Sequence, residues 1–166
     1  MHASLLMKGG AVPLEAFTRW LYRNGRPNSL ARAINSVWAR AFATGRGPKM
    51  VATLEVVGRK SGKPVRLPVV IADLDGERYL VSMLGNNTNW VRNVRAAGHR
   101  AVLLRGGRTP IRLDEIPIEQ RAPVIKRYCH VATSGRVHIP VDPDAPISAF
   151  ESVATRYPVF RIVPQS

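Results

Sequence analysis

The 166-residue chain is 45% hydrophobic and 22% charged, a balance that is typical of one folded domain and excludes a disordered or fibrous protein. Its single cysteine, Cys129, excludes an internal disulfide and a cysteine-rich metal site, so we predict no metal and a reducing, cytoplasmic location. The formal charge of +14 predicts an anionic partner, which leaves nucleic acid, an anionic membrane surface and an acidic cofactor as candidates.

Basic residues concentrate in the first two-fifths of the chain. Residues 1–66 hold 12 of the 25 basic side chains and 2 of the 11 acidic ones. No apolar run is long enough for a membrane span, and residues 5–7 are too few for the apolar core of a signal peptide. We therefore predict a basic helical segment, residues 1–47, packed on a single domain, residues 48–166.

Two helices are predicted in the N-terminal segment, Pro13–Tyr22 and Ser29–Ala43. In the second helix Val37, Trp38 and Phe42 recur at helical spacing and share an apolar face, opposite a basic polar face. This pattern predicts that the helix packs on the domain. The alternative is that it makes peripheral contact with the inner face of an anionic membrane.

From residue 50 the apolar pattern becomes that of β-strands. Met50–Val57, Val65–Ala72 and Arg78–Met83 are rich in β-forming residues, and turn residues separate them, which predicts an antiparallel meander. Three more strands are predicted at Ala101–Leu104, Thr109–Leu113 and Val159–Val163. About six antiparallel strands with helices between them predict an α+β fold, mainly antiparallel β, in which peripheral helices cross the openings of a small barrel.

Three later helices are predicted at Trp90–Ala97, Ile118–Tyr128 and Ser148–Tyr157. Pro123 lies near the middle of the second and predicts a kink there. The segment His130–Pro146 contains three prolines and no periodic pattern, so we predict a long loop, of a length that is typical of lids and binding segments.

The turn between the first two strands is the first candidate binding site. It reads Gly58-Arg59-Lys60-Ser61-Gly62-Lys63, with Arg66 just beyond it. Its glycines let backbone N–H groups converge and its cations add charge-assisted donors, which suits a phosphate or carboxylate. The spacing is not that of a P-loop, and the alternative is a solvated basic hairpin tip.

A polar loop that meets the start of a helix, within residues 85–96, is the second candidate. Backbone donors and the positive end of the helix dipole face whatever lies there, and Trp90 offers a flat apolar surface to a ring. The alternative for Trp90 is a core position beside Val91 and Val94.

Together these two segments resemble the deazaflavin-dependent nitroreductase family. The resemblance extends over about residues 50–115 and rests on Leu54–Pro64, Pro68, Asp75-Gly76, and Gly85 followed by Trp90, Asn93 and Arg95-Ala96. It implies a split β-barrel, coenzyme F420 as cofactor, and hydride transfer between the reduced deazaflavin and a small organic acceptor such as a quinone, an enone or a nitro compound. FMN or haem on a related barrel is the alternative.

The resemblance also implies roles for individual residues. Arg59, Lys60 and Ser61 would hold the phosphate and acidic tail of the cofactor, joined by Arg66, which stands one position later than the family's usual arginine. The remaining cofactor-binding residues would line the deazaflavin and its ribityl chain: Pro68, Val69, Ser82, Met83, Leu84, Gly85, Asn89, Trp90, Val91, Arg92 and Asn93.

Tyr128 and His130 are the predicted catalytic proton donors, because both lie between a helix and the long loop that could cover the site. The alternative for each is a structural role, in packing or at the protein surface. A non-enzymatic anionic-membrane binder is the rival function, and nucleic acid is disfavoured because aromatic residues do not alternate with basic ones on any predicted strand. A homodimer stays open, since open small barrels often cover an edge with a partner.

Overall fold

The computed structural model describes residues 29–166, apart from the side chains of residues 29–32 and 34. The predicted helix Pro13–Tyr22, with the rest of residues 1–28, lies outside the described residues. The strands are β1 (Val51–Val57), β2 (Pro64–Leu74), β3 (Glu77–Val81), β4 (Arg100–Leu104), β5 (Arg108–Glu115) and β6 (Val159–Pro164). The α-helices of the described range are α1 (Ser29–Ala43), α2 (Asn89–Ala96), α3 (Arg121–Val131) and α4 (Ile147–Glu151), and short 3₁₀ turns occur at Ile118–Gln120, Arg136–His138 and Ala154–Arg156.

The six strands form a closed antiparallel barrel in the order β1-β2-β3-β6-β5-β4. Hairpin turns join β1 to β2 and β2 to β3, which form the predicted meander. The β2–β3 turn has positive φ at both Asp75 (51°) and Gly76 (79°), as a type I′ turn requires. The barrel closes where β6 pairs with β3 and β5. The predicted fold class, an α+β protein built on a mainly antiparallel six-stranded barrel with peripheral helices, is confirmed.

Side chains along β1 point alternately into the barrel interior and toward its outer face. Ala52, Leu54 and Val56 are fully or almost fully buried and belong to the interior cluster. The intervening Thr53 and Glu55 face outward, where the Thr53 hydroxyl donates to the Ala39 carbonyl of α1. Helix α1 is thereby held against the outside of the barrel beside β1 and β2.

A second apolar cluster joins α3 and α4 to the barrel. Ile125, Cys129 and Phe150 from the helices pack with Val81 and Val159 from β3 and β6. Burial raises the pKa of the Cys129 thiol to about 11, so the cysteine is an inert core residue at neutral pH.

The apolar face of α1 packs less completely than its spacing predicts. Ala39 is buried, but Trp38 is 52% exposed and Val37 is 63% exposed. Trp38 stacks on Phe42 with ring centroids 5.3 Å apart. Across residues 29–166, none of the helices has the length and apolarity that crossing a membrane requires, and the peripheral membrane contact stays a prediction.

The predicted position of Pro123 near the middle of its helix, on which the expected kink depends, is wrong. The segment begins as the 3₁₀ turn Ile118–Gln120, and α3 starts only at Arg121, so Pro123 is the third residue of the α-helix. Backbone N–H groups in the first turn of a helix have no acceptor within the helix, so proline, which lacks an N–H, fits there without the loss of a hydrogen bond.

The predicted bounds at the C-terminal end also need correction. Residues 130 and 131 still belong to α3, so the loop that follows begins later than predicted and contains the 3₁₀ turn Arg136–His138. The single helix predicted over Ser148–Tyr157 is divided into α4 and the 3₁₀ turn Ala154–Arg156, because backbone donors at Val153 and Arg156 switch to acceptors three residues earlier.

Candidate cofactor-binding cavity

A cavity of about 670 Å³ lies along one part of β2. β2 pairs with β1 over Pro64–Val70 and with β3 over the following four residues, so among the described strands none pairs with the second edge of Pro64–Val70. The walls come from this edge, from α1, from the segment after β3, from the start of α2 and from the loop after α3. The cavity therefore occupies the gap that the barrel leaves between β2 and its neighbours.

The open edge of β2 presents backbone groups to the cavity. Hydrogen bonds from Gly58 N–H to the Lys63 carbonyl and from Ile71 N–H to the Met50 carbonyl show that the odd-numbered residues face β1. The N–H groups of Arg66 and Val70 consequently point the other way, toward the gap. Pro68 lies between them and has no N–H, which agrees with the confinement of proline to strand edges.

The basic turn Gly58–Lys63 is tightly built. A Cβ at Gly58 would lie 2.6 Å from the Ser61 hydroxyl oxygen and 3.2 Å from the Lys63 carbonyl oxygen, so a larger residue there would displace the Ser61 side chain and crowd the turn. Gly62 has a φ of +65° and donates back to the Gly58 carbonyl over 2.8 Å. Lys60 and Ser61 are exposed at the tip, where a charged ligand could reach them.

Arg59 links this turn to α2 at the cavity rim. Its Nη1 donates to Asn93 Oδ1 over 2.8 Å, its backbone N–H donates to the same oxygen over 3.2 Å, and its Nη2 reaches Asn89 Oδ1 at 3.4 Å. Asn93 is buried, whereas Asn89 and Arg59 are exposed. Both asparagines line the cavity, so the guanidinium of Arg59 lies directly behind its polar wall.

The loop between β3 and α2 is fixed by hydroxyl groups. The buried Ser82 donates to the Gly85 carbonyl over 2.8 Å, and its oxygen lies 3.2 Å from the Thr88 hydroxyl oxygen. Gly85 has a φ of +88° and passes close to the Arg156 carbonyl. Ser82 and Gly85 thus shape the loop, while Met83, Leu84 and Thr88 line the cavity itself.

Trp90 joins the cavity wall to the barrel core. It is half-buried, it packs against the interior cluster, and its ring centroid lies 5.4 Å from that of Phe160. Trp90 therefore packs on the core, as one sequence interpretation has it, and also lines the cavity. Val91, the next residue, is fully buried in the core, and Arg92 points away to Asn87, so neither lines the cavity.

Tyr128 closes the cavity on the side of α3. Its hydroxyl donates to Met83 Sδ over 3.3 Å. Gly135, in the loop after α3, approaches so closely that a Cβ there would lie 2.2 Å from the Tyr128 hydroxyl oxygen. Tyr128, Met83, Ser134 and Gly135 together form this wall.

His130 is not brought to the cavity. Its Nε2 lies 3.1 Å from Asp144 Oδ1 and its Nδ1 lies 3.0 Å from the Lys126 carbonyl, on the exposed side of α3. Two residues along a helix rotate a side chain by about 200°, so Tyr128 and His130 cannot face the same cavity from α3.

Nine of the residues predicted from sequence line the cavity, and eight do not. The nine are Arg66, Pro68, Val69, Met83, Leu84, Asn89, Trp90, Asn93 and Tyr128. The others are Arg59, Lys60 and Ser61 in the basic turn, Ser82 and Gly85 behind the loop, and Val91, Arg92 and His130 directed elsewhere.

Several wall residues are not among those that the sequence predicts. Trp38 and Phe42 reach the cavity from α1, and Ser134 and Gly135 reach it from the loop after α3. The aromatic pair four residues apart was visible in the sequence, but such a pair on an amphipathic helix equally indicates core packing. Ser134 and Gly135 carried no sequence signal, since their place depends on contacts distant along the chain.

Comparisons with known proteins bear on the family and the fold of the chain. Residues 31–141 match the sequence model of the family described as F420H(2)-dependent quinone reductase. The search of curated proteins finds no relative with significant similarity.

Two solved structures with TM-scores of 0.50 and 0.53 show the same fold at low sequence identity. A protein of unknown function from Agrobacterium tumefaciens aligns with a TM-score of 0.53 at 16% identity, over 85% of this chain and 56% of that one. A domain-swapped dimer aligns with a TM-score of 0.50 at 17% identity, over 76% and 91%. The F420-H2 dependent reductase FDR-A aligns with a TM-score of 0.42 at 20% identity, over 69% and 94%.

Proposed function

The chain belongs to the F420H(2)-dependent quinone reductase family and uses coenzyme F420, and we propose that the cavity beside β2 holds the deazaflavin together with a small organic acceptor. The observation that carries this proposal is a mainly apolar cavity whose rim combines an open strand edge with basic side chains. Its volume of about 670 Å³ falls in the range of small-molecule sites.

The residues present fit an acidic cofactor with a planar ring system. Arg66 lies on the rim, and Arg59 and Lys60 lie in the adjacent turn, so cations surround the place where a phosphate and carboxylates would be held. The half-buried Trp90 and the pyrrolidine of Pro68 offer flat apolar surfaces to the rings. We assign the acidic tail to the basic turn and the rings to the wall formed by β2 and Trp90.

Reduced F420, when bound, supplies the hydride, and the protein supplies alignment, a dry cavity and a proton. An acceptor that gains a hydride at carbon or oxygen also takes up a proton. The hydroxyl of Tyr128 is the proton donor that we propose, because it lies on the cavity wall while His130 is directed elsewhere.

We propose a quinone, an enone or a nitro compound as the acceptor. Trp38, Phe42 and Met83 make much of the remaining wall apolar, which suits a flat and weakly polar molecule. Turnover of one representative of each class with reduced F420 ranks them, and an acceptor that is strongly charged would contradict this assignment.

The double substitution Arg59→Ala, Lys60→Ala tests the tail assignment. We expect F420 to bind more than about tenfold more weakly, because two charge-assisted contacts are lost. The measurement is a fluorescence titration of F420, repeated with FMN and haem on the unaltered protein.

The matched control is Arg78→Ala, Arg100→Ala, which removes the same two charges from exposed positions on other strands. If the control weakens F420 binding equally, general charge and not the turn attracts the cofactor. Unchanged affinity in the turn variant, or uptake of FMN without binding of F420, overturns the assignment.

A further inference from the structure

One carboxylate on the outer face of the barrel holds two arginines from opposite sides. Glu55 on β1 accepts from Arg66 Nε through Oε2 over 2.7 Å and from Arg108 Nη2 through Oε1 over 2.7 Å. The Glu55 side chain is 8% exposed, whereas those of Arg66 and Arg108 are 51% and 59% exposed. The guanidinium of Arg108, helped by that of Arg66, keeps the pKa of Glu55 below its ordinary value against the opposing effect of burial, so Glu55 is ionised at neutral pH.

The two arginines differ in their relation to the cavity. Arg66 lines it and binds Glu55 through Nε, and no hydrogen bond joins its two terminal nitrogens to the described side chains and backbone. Arg108 lies at the start of β5, does not line the cavity, and directs both terminal nitrogens to Glu55. The shared carboxylate therefore couples a cavity residue to one outside it.

We propose that Arg108 is a positioning residue that keeps Arg66 available to an anionic group at the cavity by occupying Glu55 Oε1. This inference rests on the proposed function, in which that anionic group belongs to the acidic part of the cofactor.

The geometry of guanidinium–carboxylate pairing supplies the reason. Arginine prefers a bidentate arrangement in which two nitrogens bind both carboxylate oxygens. With Arg108 on Oε1, Arg66 is limited to a single hydrogen bond with Glu55. The two guanidinium groups and the carboxylate then carry a net charge of +1. Without Arg108, Oε1 is open to a terminal nitrogen of Arg66, and the carboxylate cancels the charge that the cavity would otherwise present.

The substitution Arg108→Gln tests this coupling. Two compounds are titrated by fluorescence: F420, and the same deazaflavin with its ribityl chain but without phosphate and acidic tail. We expect F420 to bind about three- to tenfold more weakly and the tail-less compound to bind unchanged. Arg108→Lys, which can still place a cation on Oε1, is expected to restore most of the F420 affinity.

A double-mutant cycle separates coupling from general damage. In a Glu55→Gln background, Arg108→Gln is expected to have no further effect on F420 binding, because the carboxylate that connects the residues is gone. The matched control is Arg112→Gln, which removes a charge from the same strand where Arg112 pairs with the carboxylate of Asp114. We expect the control to bind F420 as the unaltered protein does.

Four results overturn the inference. They are unchanged F420 binding in Arg108→Gln, an equal loss in Arg112→Gln, an equal loss for the tail-less compound, and a loss that persists without Glu55. Failure of the unaltered protein to bind either compound overturns the proposed function and this inference with it, so the two kinds of failure are distinguishable.

Discussion

At the scale of single residues, the contact between Gly135 and Tyr128 makes the sharpest prediction about activity. Gly135 has φ −80° and ψ −34°, which alanine adopts without strain, so Gly135→Ala tests space alone. Its Cβ would lie 2.2 Å from the Tyr128 hydroxyl oxygen and 3.0 Å from Met83 Sδ, so the hydroxyl must move. We expect kcat with reduced F420 to fall about tenfold while the Kd of F420 changes less than about twofold.

Gly107→Ala is the matched control, since a Cβ there meets nothing within 4 Å. Tyr128→Phe is expected to lose a similar factor in kcat, and combining it with Gly135→Ala is expected to add little, because both act on one hydroxyl. Full turnover in Gly135→Ala would show that the position of the Tyr128 hydroxyl does not matter to the reaction.

The same residues show how far a sequence specifies a site. Trp90 and Asn93 could be found because they belong to a short motif at a helix start, and the structure brings both to the cavity. Tyr128 and His130 could not be separated in the sequence, because the choice depends on which face of α3 packs on the barrel. Gly135 could not be found at all, since its proximity to Tyr128 follows from the path of a loop.

Among the secondary-structure elements, the hairpins were predictable, whereas the bounds of the helices were less so. Asp75-Gly76 and Gly58–Lys63 are local turn signals, and local signals need no knowledge of the rest of the fold. The place of Pro123 within its helix could not be predicted, because it depends on where α3 begins, after the 3₁₀ turn Ile118–Gln120. Helix bounds are fixed by tertiary contacts more than by spacing.

The attachment of the basic turn to α2 depends mainly on Asn93. Its buried Oδ1 accepts two hydrogen bonds from Arg59, so Asn93→Ala leaves both donors without that acceptor. We expect the free energy of unfolding to fall by about 1–2 kcal/mol in urea denaturation, and amide exchange in residues 58–63 to accelerate.

Asn87→Ala is the control, because exposed Asn87 accepts a single bond from Arg92. It is expected to change the free energy of unfolding by less than about 0.5 kcal/mol. Equal effects from the two substitutions, or unaltered exchange in the turn of Asn93→Ala, would contradict the idea that Asn93 anchors the turn.

For the molecule as a whole, the sequence predicted a barrel but could not specify which strands pair to close it. The pairings β3–β6 and β1–β4 join strands that are distant along the chain, and no local pattern selects them. The cavity exists because of that closure: β3 turns from β2 to β6, and the edge of Pro64–Val70 is left without a described strand beside it. The residues of the site were therefore partly predictable, while the gap that assembles them was not.

The net charge of +14 predicts opposite responses of stability and binding to salt. Folding brings like charges together, so added salt screens their repulsion, and we expect Tm to rise between about 0.05 M and about 0.5 M NaCl. F420 binding brings an anion to cations, so the same screening is expected to weaken its affinity by about tenfold.

The deazaflavin without phosphate and acidic tail serves as the control and is expected to bind almost independently of salt, because it carries no anionic tail to be screened. A Tm that falls with salt would show that favourable ion pairs such as Glu55–Arg108 outweigh the general repulsion, and an F420 affinity independent of salt would remove the electrostatic basis of the binding site.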